Sequence, residues 1–135
     1  MRIYERTSVF GWQGDGGIGE RLIGQILAGT KTATNCPKVL YSADELEQLH
    51  ASVGHHMTVT DRQGRPRCNI LQVAVFETTF GTPDPRLVHG EGCLTADEFR
   101  RAHLHVWDEF LEEAGEKLSD HTVLVAEIFK LSAVR

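Results

Sequence analysis

The most constraining feature of this sequence is a central segment that is apolar on both faces of the strand it predicts. Residues 70–76 are Ile-Leu-Gln-Val-Ala-Val-Phe. Successive side chains of a strand point to opposite faces of its sheet, so both faces here carry apolar groups. Such a strand is typical of the centre of a closed or covered sheet. The chain must therefore supply neighbouring strands and elements that cover the sheet.

The rest of the sequence predicts strands in the middle of the chain and helices early and late. Residues 18–28 carry an apolar stripe at helical spacing and end at Gly29. Ser42 and Thr95 each begin a capping-box pattern, and the helix after Thr95 ends near Gly115. Further strands are predicted at 32–36, 57–60 and 122–131, and a loop at 81–92. This pattern favours an α+β fold, with a small barrel flanked by helices.

Length and composition indicate one compact domain spanning residues 1–135. A chain of this size buries about two-thirds of its unfolded surface, so it needs no disulfides to fold. The three cysteines form no CxxC pair, which disfavours a zinc site and predicts free thiols. The sequence has neither a membrane-spanning apolar run nor a signal-peptide pattern, so we expect a cytoplasmic protein.

The charge balance bears on nucleic-acid binding. The chain has 19 acidic and 14 basic residues, giving a formal net charge of -5. Proteins that grip a long nucleic acid usually carry a basic excess, because neutralising phosphates dominates their affinity. The acidic balance therefore disfavours general RNA coating, although it does not exclude recognition of one base.

A polar motif follows the first predicted helix. Residues 29–34 are Gly-Thr-Lys-Thr-Ala-Thr, and they place Lys31, Thr32 and Thr34 at the start of a strand. Hydroxyl and ammonium groups can bind a phosphate, a carbonyl or a base edge. The same string is also compatible with a solvated helix exit, so both interpretations stay open.

This motif resembles the signature of the ASCH domain, a member of the PUA-like superfamily: glycine, any residue, lysine, two residues and a polar residue. An ordered set of further features resembles the longer, YhfF-type branch of that family. These features are a Phe-Gly opening at 10–11, a strand-turn-strand at 59–75, a Glu-Gly pair at 91–92 and a helix at 99–110.

The resemblance implies a PUA-like β-barrel with a cleft for a nucleobase or a nucleotide segment. Some small ASCH proteins are amidohydrolases that remove the acetyl group from N4-acetylcytidine. They use a lysine, a threonine three residues later and a glutamate in a downstream loop. The matching positions in this chain are Lys31, Thr34 and Glu91. For this activity we expect neither a cofactor nor a metal ion.

Amide hydrolysis is compatible with these residue types. A threonine hydroxyl is a weak nucleophile unless a base activates it. A lysine can be that base only when neutral, and a nearby carboxylate favours its charged form. We therefore expect Glu91 to protonate the leaving group or orient water, and Thr34 to attack or to position the water. Lys31 and Thr34 can meet only if the chain turns between helix and strand.

Other candidate binding residues lie near the motif. Many relatives have an arginine where this chain has Cys36, and Lys38 is a candidate substitute. Trp12 and Tyr41 flank the motif and could stack on a base. His89 could line the same cleft. Each of these residues is also compatible with an ordinary core or surface position.

The histidines do not predict a metal site. His103 and His105 are two residues apart, so on a helix they point about 200° apart and cannot share a metal ion. His103 falls on the apolar stripe, where we expect a packed core residue. Two main functions remain: hydrolysis of an acylated pyrimidine nucleoside, or non-catalytic binding of short single-stranded RNA. Metal-assisted RNA cleavage is a minor variant, and the oligomeric state stays open.

Overall fold

The computed structural model describes residues 1–134, which form a five-stranded sheet, four α-helices and a short 3-10 helix. None of the helices in this range has both the length and the apolar character needed to cross a bilayer. The elements in chain order are β1 (Thr7–Val9), α1 (Ile18–Leu27), β2 (Ala33–Pro37), the 3-10 helix (Lys38–Leu40), α2 (Ala43–Ala51), β3 (His56–Thr60), β4 (Pro66–Thr79), α3 (Pro85–Gly90), α4 (Ala96–Glu113) and β5 (Val123–Val134).

The sheet has the strand order β1-β3-β4-β5-β2. β1 runs parallel to β3, and the other pairs are antiparallel. The predicted α+β class is confirmed, and the strand that is apolar on both faces, β4, is central. The predicted closure into a barrel was wrong. A barrel needs its two edge strands to pair, whereas β1 pairs with β3, β2 pairs with β5, and three strands separate them.

Apolar side chains pack on both faces of the sheet, which explains the pattern of β4. One buried cluster includes Ile23 and Ile26 of α1 together with Phe129 of β5. A second includes Phe99 of α4 and Leu124 of β5. Positions 124 and 129 differ by an odd number, so alternation along β5 directs them to opposite faces. Helices α1 and α4 thus cover opposite faces of the sheet, as the apolar pattern of β4 predicted.

The main local difference from prediction is α3, which occupies part of the predicted loop. Asp84 caps this helix, because its side chain accepts a hydrogen bond from the Arg86 N–H at 2.8 Å. Pro85 occupies the first turn, where its missing N–H costs nothing. The expectation of a loop was therefore wrong at residues 85–90. Glu91 follows directly as the C-cap residue of α3.

Candidate active site

The end of α1 turns Lys31 into the protein. Gly29 adopts φ +80°, a left-handed conformation that favours glycine. The N–H groups of Thr30 and Lys31 both donate to the Gln25 carbonyl, at 3.0 and 3.1 Å. The chain then enters β2, and Lys31 is 2% exposed. We expected Lys31 and Thr34 to lie close together only if the chain turned between the helix and the strand, and the structure has this turn.

Close packing of α3 on β2 brings Glu91 to the same place. A Cβ added to Gly90 would lie 2.4 Å from the Cβ of Ala33, so only glycine allows this approach. The Thr32 N–H donates to the Gly90 carbonyl at 2.7 Å and fixes the two segments. Glu91 is the next residue, so its side chain begins beside the start of β2.

Lys31 and Glu91 form a buried ion pair. Lys31 Nζ donates to Glu91 Oε1 and also to the Ala33 carbonyl at 2.6 Å. The two side chains are 2% and 5% exposed. Burial alone would raise the pKa of Glu91, but the Lys31 charge and a hydrogen bond from His103 outweigh it and hold that pKa below its usual range. Glu91 is therefore ionised at neutral pH and acts as a hydrogen-bond acceptor.

The second oxygen of Glu91 is held by residues that the sequence did not single out as functional. Asn35 Nδ2 donates to Oε2 at 2.6 Å, and His103 Nε2 lies 3.0 Å from the same atom. Trp107 Nε1 in turn donates to Asn35 Oδ1 at 3.0 Å. We expected His103 to be a packed core residue, because it lies on the apolar stripe of α4. Its spacing of four from Trp107 places both on one helix face, and this was the available signal.

These groups line a cavity of about 310 Å³ between α1 and α4. Its walls are largely apolar, and its polar groups include the Lys31–Glu91 pair. This composition suits a small-molecule site, in which a few polar groups orient a ligand against apolar walls. The lining of the cavity includes Trp12, Arg21, Lys31, Thr34, Glu91 and His103.

Two further predicted residues lie in this cavity. Thr34, half-buried on β2, lines it together with Lys31 and Glu91. Trp12 also lines it and packs edge-to-face on Phe110, with ring centroids 5.1 Å apart. The structure thus brings together the three candidate catalytic residues and one candidate stacking residue.

Two predicted binding residues near the cavity point elsewhere. The Thr32 side chain is exposed, and its backbone joins α3 and β5 to the start of β2. His89 is exposed on the last turn of α3, two residues before Glu91. Neither residue lines the Lys31–Glu91 cavity.

Lys38 and Tyr41 also lie outside the cavity. Lys38 Nζ pairs with Glu77 at 2.7 Å near the surface, and whether it replaces the arginine of relatives stays a prediction. Tyr41 lines a separate groove beside α2. Burial raises the pKa of the Tyr41 hydroxyl, and it raises that of the neighbouring Cys36 thiol to about 11. Both groups are therefore neutral at physiological pH.

The cavity offers donors and acceptors for a ligand but no metal cage. An ammonium has three hydrogens, and Lys31 Nζ uses two of them on Ala33 and Glu91. One donor thus remains for a ligand carbonyl. Within residues 1–134, no group of three or more His, Cys, Asp or Glu side chains is arranged to hold a metal ion.

Comparison with known proteins identifies the fold family. The profile of the ASCH domain matches residues 10–133. A crystal structure of a protein from Enterococcus faecalis V583 has a TM-score of 0.79 and 21% identity, covering 99% of this chain and 80% of its own. An ASCH domain from Lactobacillus crispatus JV V101 has a TM-score of 0.76 and 24% identity, covering 96% and 82%. No curated protein matches the sequence significantly. The ASCH resemblance is confirmed, and the YhfF-type branch stays a prediction.

Proposed function

This chain belongs to the ASCH domain family, a group of PUA-like domains, and we propose that it hydrolyses the acyl group from an N4-acylated cytidine. The observation that carries the proposal is the buried Lys31–Glu91 pair in a cavity of about 310 Å³ that Thr34 also lines. An ammonium, a carboxylate and a hydroxyl that share one small cavity can act as the hydrogen-bond donor, the acceptor and the water-positioning group in amide hydrolysis.

The size and charge of the cavity favour a nucleoside over a long RNA strand. Among the residues described, two lysine or arginine side chains line it, Lys31 and Arg21. Non-specific single-strand binding uses a positively charged groove that follows many phosphates, and the chain carries a net charge of -5. Trp12 and Trp107 give the cavity flat apolar surfaces against which a pyrimidine can lie.

The proposed roles follow from the hydrogen bonds of each group. The third hydrogen of Lys31 Nζ donates to the acyl oxygen and stabilises the negative charge that develops there. Thr34 positions the attacking water, and the Glu91 carboxylate orients that water as an acceptor. The water oxygen bonds to the acyl carbon and the carbon–N4 bond breaks. A proton goes to N4, so the products are a free cytidine and a carboxylic acid. We place the reaction in the cytoplasm, where free thiols such as those of this chain persist.

The direct test is turnover of a panel of N4-acylated cytidines by the wild type and by Lys31→Ala. We expect Lys31→Ala to lose about 10²–10³-fold in kcat, as removal of an oxyanion donor does in other hydrolases. Lys117→Ala is the matched control, because Lys117 is exposed and lies outside the cavity. Absence of wild-type turnover on the whole panel, with retained binding of short oligonucleotides, would favour the RNA-binding alternative.

Thr34 is tested separately, because it either positions water or attacks the acyl group itself. Thr34→Ala should lower kcat, whereas Thr34→Ser, which keeps the hydroxyl, should retain most of it. Intact-protein mass spectrometry during turnover distinguishes the two routes, because direct attack adds the mass of the acyl group to the wild type. Full turnover by Thr34→Ala would remove Thr34 from the mechanism.

A further inference from the structure

Both ring nitrogens of His103 face oxygen atoms that accept hydrogen bonds. Nδ1 lies 2.8 Å from the Phe99 carbonyl oxygen, and Nε2 lies 3.0 Å from Glu91 Oε2. A carbonyl can only accept, so Nδ1 carries a hydrogen. A neutral ring with its hydrogen on Nδ1 presents a lone pair at Nε2. That lone pair would face an ionised carboxylate, and two acceptors at 3.0 Å need a proton between them.

We infer that His103 and Glu91 hold one exchangeable proton between Nε2 and Oε2, and that this pair, rather than Lys31, protonates the leaving N4 atom. The hydrogen-bond geometry alone supports the shared proton, whereas its transfer to N4 rests on the proposed function.

Packing holds the imidazole in this orientation. The Phe99 ring stacks on His103 with centroids 4.2 Å apart, and the Trp107 ring lies 6.3 Å away on the same helix. Asn35 Nδ2 occupies the other acceptor direction of Glu91 Oε2. A ring that turned Nε2 away from Glu91 would lose its bond to the Phe99 carbonyl, and a turn out of its plane would also lose the stacking on Phe99.

The charged groups around His103 come from several elements. Glu91 at the end of α3 attracts the proton to the pair, whereas Lys31 before β2 and Arg21 on α1 line the same cavity and oppose additional positive charge. Cys93 also lines the cavity, and burial raises the pKa of its thiol, so it remains neutral. Lys31 is already engaged by Glu91 Oε1 and the Ala33 carbonyl. The proton shared by His103 and Glu91 lies beside the cavity and makes no hydrogen bond to the backbone. The pair can therefore give this proton to a bound ligand.

The step balances with water as the co-reactant. The water oxygen forms a bond to the acyl carbon, and the carbon–N4 bond breaks with its electron pair moving to N4. The proton held by His103 and Glu91 goes to N4. The proton lost by the attacking water returns to the pair, which is therefore restored after each turnover.

Nuclear magnetic resonance of the unliganded protein tests the proton directly. Long-range proton–nitrogen spectra of ¹⁵N-histidine-labelled wild type at pH 7, with His103 assigned through His103→Gln, should show both ring nitrogens protonated. In Glu91→Gln the new amide can donate to Nε2, so that nitrogen should change to the unprotonated type. An unprotonated Nε2 in the wild type, or no change in Glu91→Gln, overturns the shared proton.

Kinetics test the role of the pair in catalysis. Glutamine at position 103 can still donate a hydrogen bond to Oε2 but cannot give up a proton. His103→Gln should therefore lose about 10²-fold in kcat, with KM nearly unchanged. His105→Gln is the control, because His105 is on the same helix and 93% exposed. A wild-type kcat in His103→Gln, or a loss in which KM rises and kcat is unchanged, would overturn the catalytic role of the pair.

The two experiments separate this inference from the proposed function. If the wild type hydrolyses no N4-acylated cytidine, the role in leaving-group protonation is overturned with the proposed function. The spectra still decide whether His103 and Glu91 share a proton, because they need neither substrate nor turnover.

Discussion

Replacing Lys31 with methionine would remove the ammonium group that pairs with the buried Glu91 carboxylate. Methionine keeps most of the side-chain volume, so the change acts mainly on charge. Removing one partner of a buried ion pair costs about 3–5 kcal/mol. Asn35 and His103 still hold Oε2, so we expect the lower end, about 3 kcal/mol. For 135 residues this corresponds to a fall of roughly 10 °C in Tm.

The free energy of unfolding that Lys31→Met loses should depend on pH in a definite direction. In the wild type the pKa of Glu91 is lowered, so its ionisation stabilises the fold above the unfolded-state value and this stability is lost as pH falls. Without Lys31, the largest of the interactions that lower the pKa of Glu91 is absent, so burial raises that pKa above its wild-type value. The variant therefore lacks part of the stability that ionisation of Glu91 gives the wild type at neutral pH. The difference between wild type and variant should therefore be larger at pH 7 than near pH 4.

Urea unfolding followed by tryptophan fluorescence measures these free energies at both pH values. A second variant, Lys31→Met combined with Glu91→Gln, removes the buried charge altogether and should recover much of the lost stability. Glu91→Gln alone completes the double-mutant cycle. A loss below about 1 kcal/mol in Lys31→Met, typical of an exposed pair, would refute the reasoning, as would additive effects of the two changes.

Three further predictions concern the packing at Gly90, the hydrogen bond of Trp107 and the salt dependence of ligand binding. Gly90→Ala should destabilise the fold by about 1–3 kcal/mol in urea unfolding, because its Cβ would overlap that of Ala33. Trp107→Phe should cost about 0.5–1.5 kcal/mol by the same assay, because Asn35 Oδ1 loses its donor. Nucleoside binding, followed by calorimetry between 50 and 200 mM salt, should change little, whereas binding through six or more phosphates would weaken by about 10³-fold or more.

The sequence predicted those elements of the fold that depend on residues close together in the chain. The stripe of α1, the Ser42 capping box of α2 and the apolar β4 all gave the correct element, because helix caps and alternation act over a few residues. The complete capping box at Ser42 is present in the structure. Sheet closure could not be predicted, because it depends on whether β1 and β2 meet, which no local pattern encodes.

The candidate site was predictable to the extent that motif residues carry it. Lys31, Thr34 and Glu91 were named from the resemblance, and all three line one cavity. Asn35 and His103 were missed, because their role depends on α4 packing across β2 and not on any spacing between the two residues. A histidine on an apolar helical stripe is as compatible with core packing as with a role in a site. Only the position of Glu91, which His103 contacts, distinguishes these two roles.

Packing, and not charge attraction, must assemble this site. Burying each member of the Lys31–Glu91 pair costs several kcal/mol of desolvation, so the two charges cannot by themselves draw α3 onto β2. The apolar cluster beside them includes Leu87, Phe99 and Leu124, all fully buried. Each contributes about 1.5–3 kcal/mol, or roughly 5–9 kcal/mol together, which is of the size needed to offset that cost. The absence of a side chain at Gly90 lets this cluster close, and the ion pair then forms as a consequence of the closure.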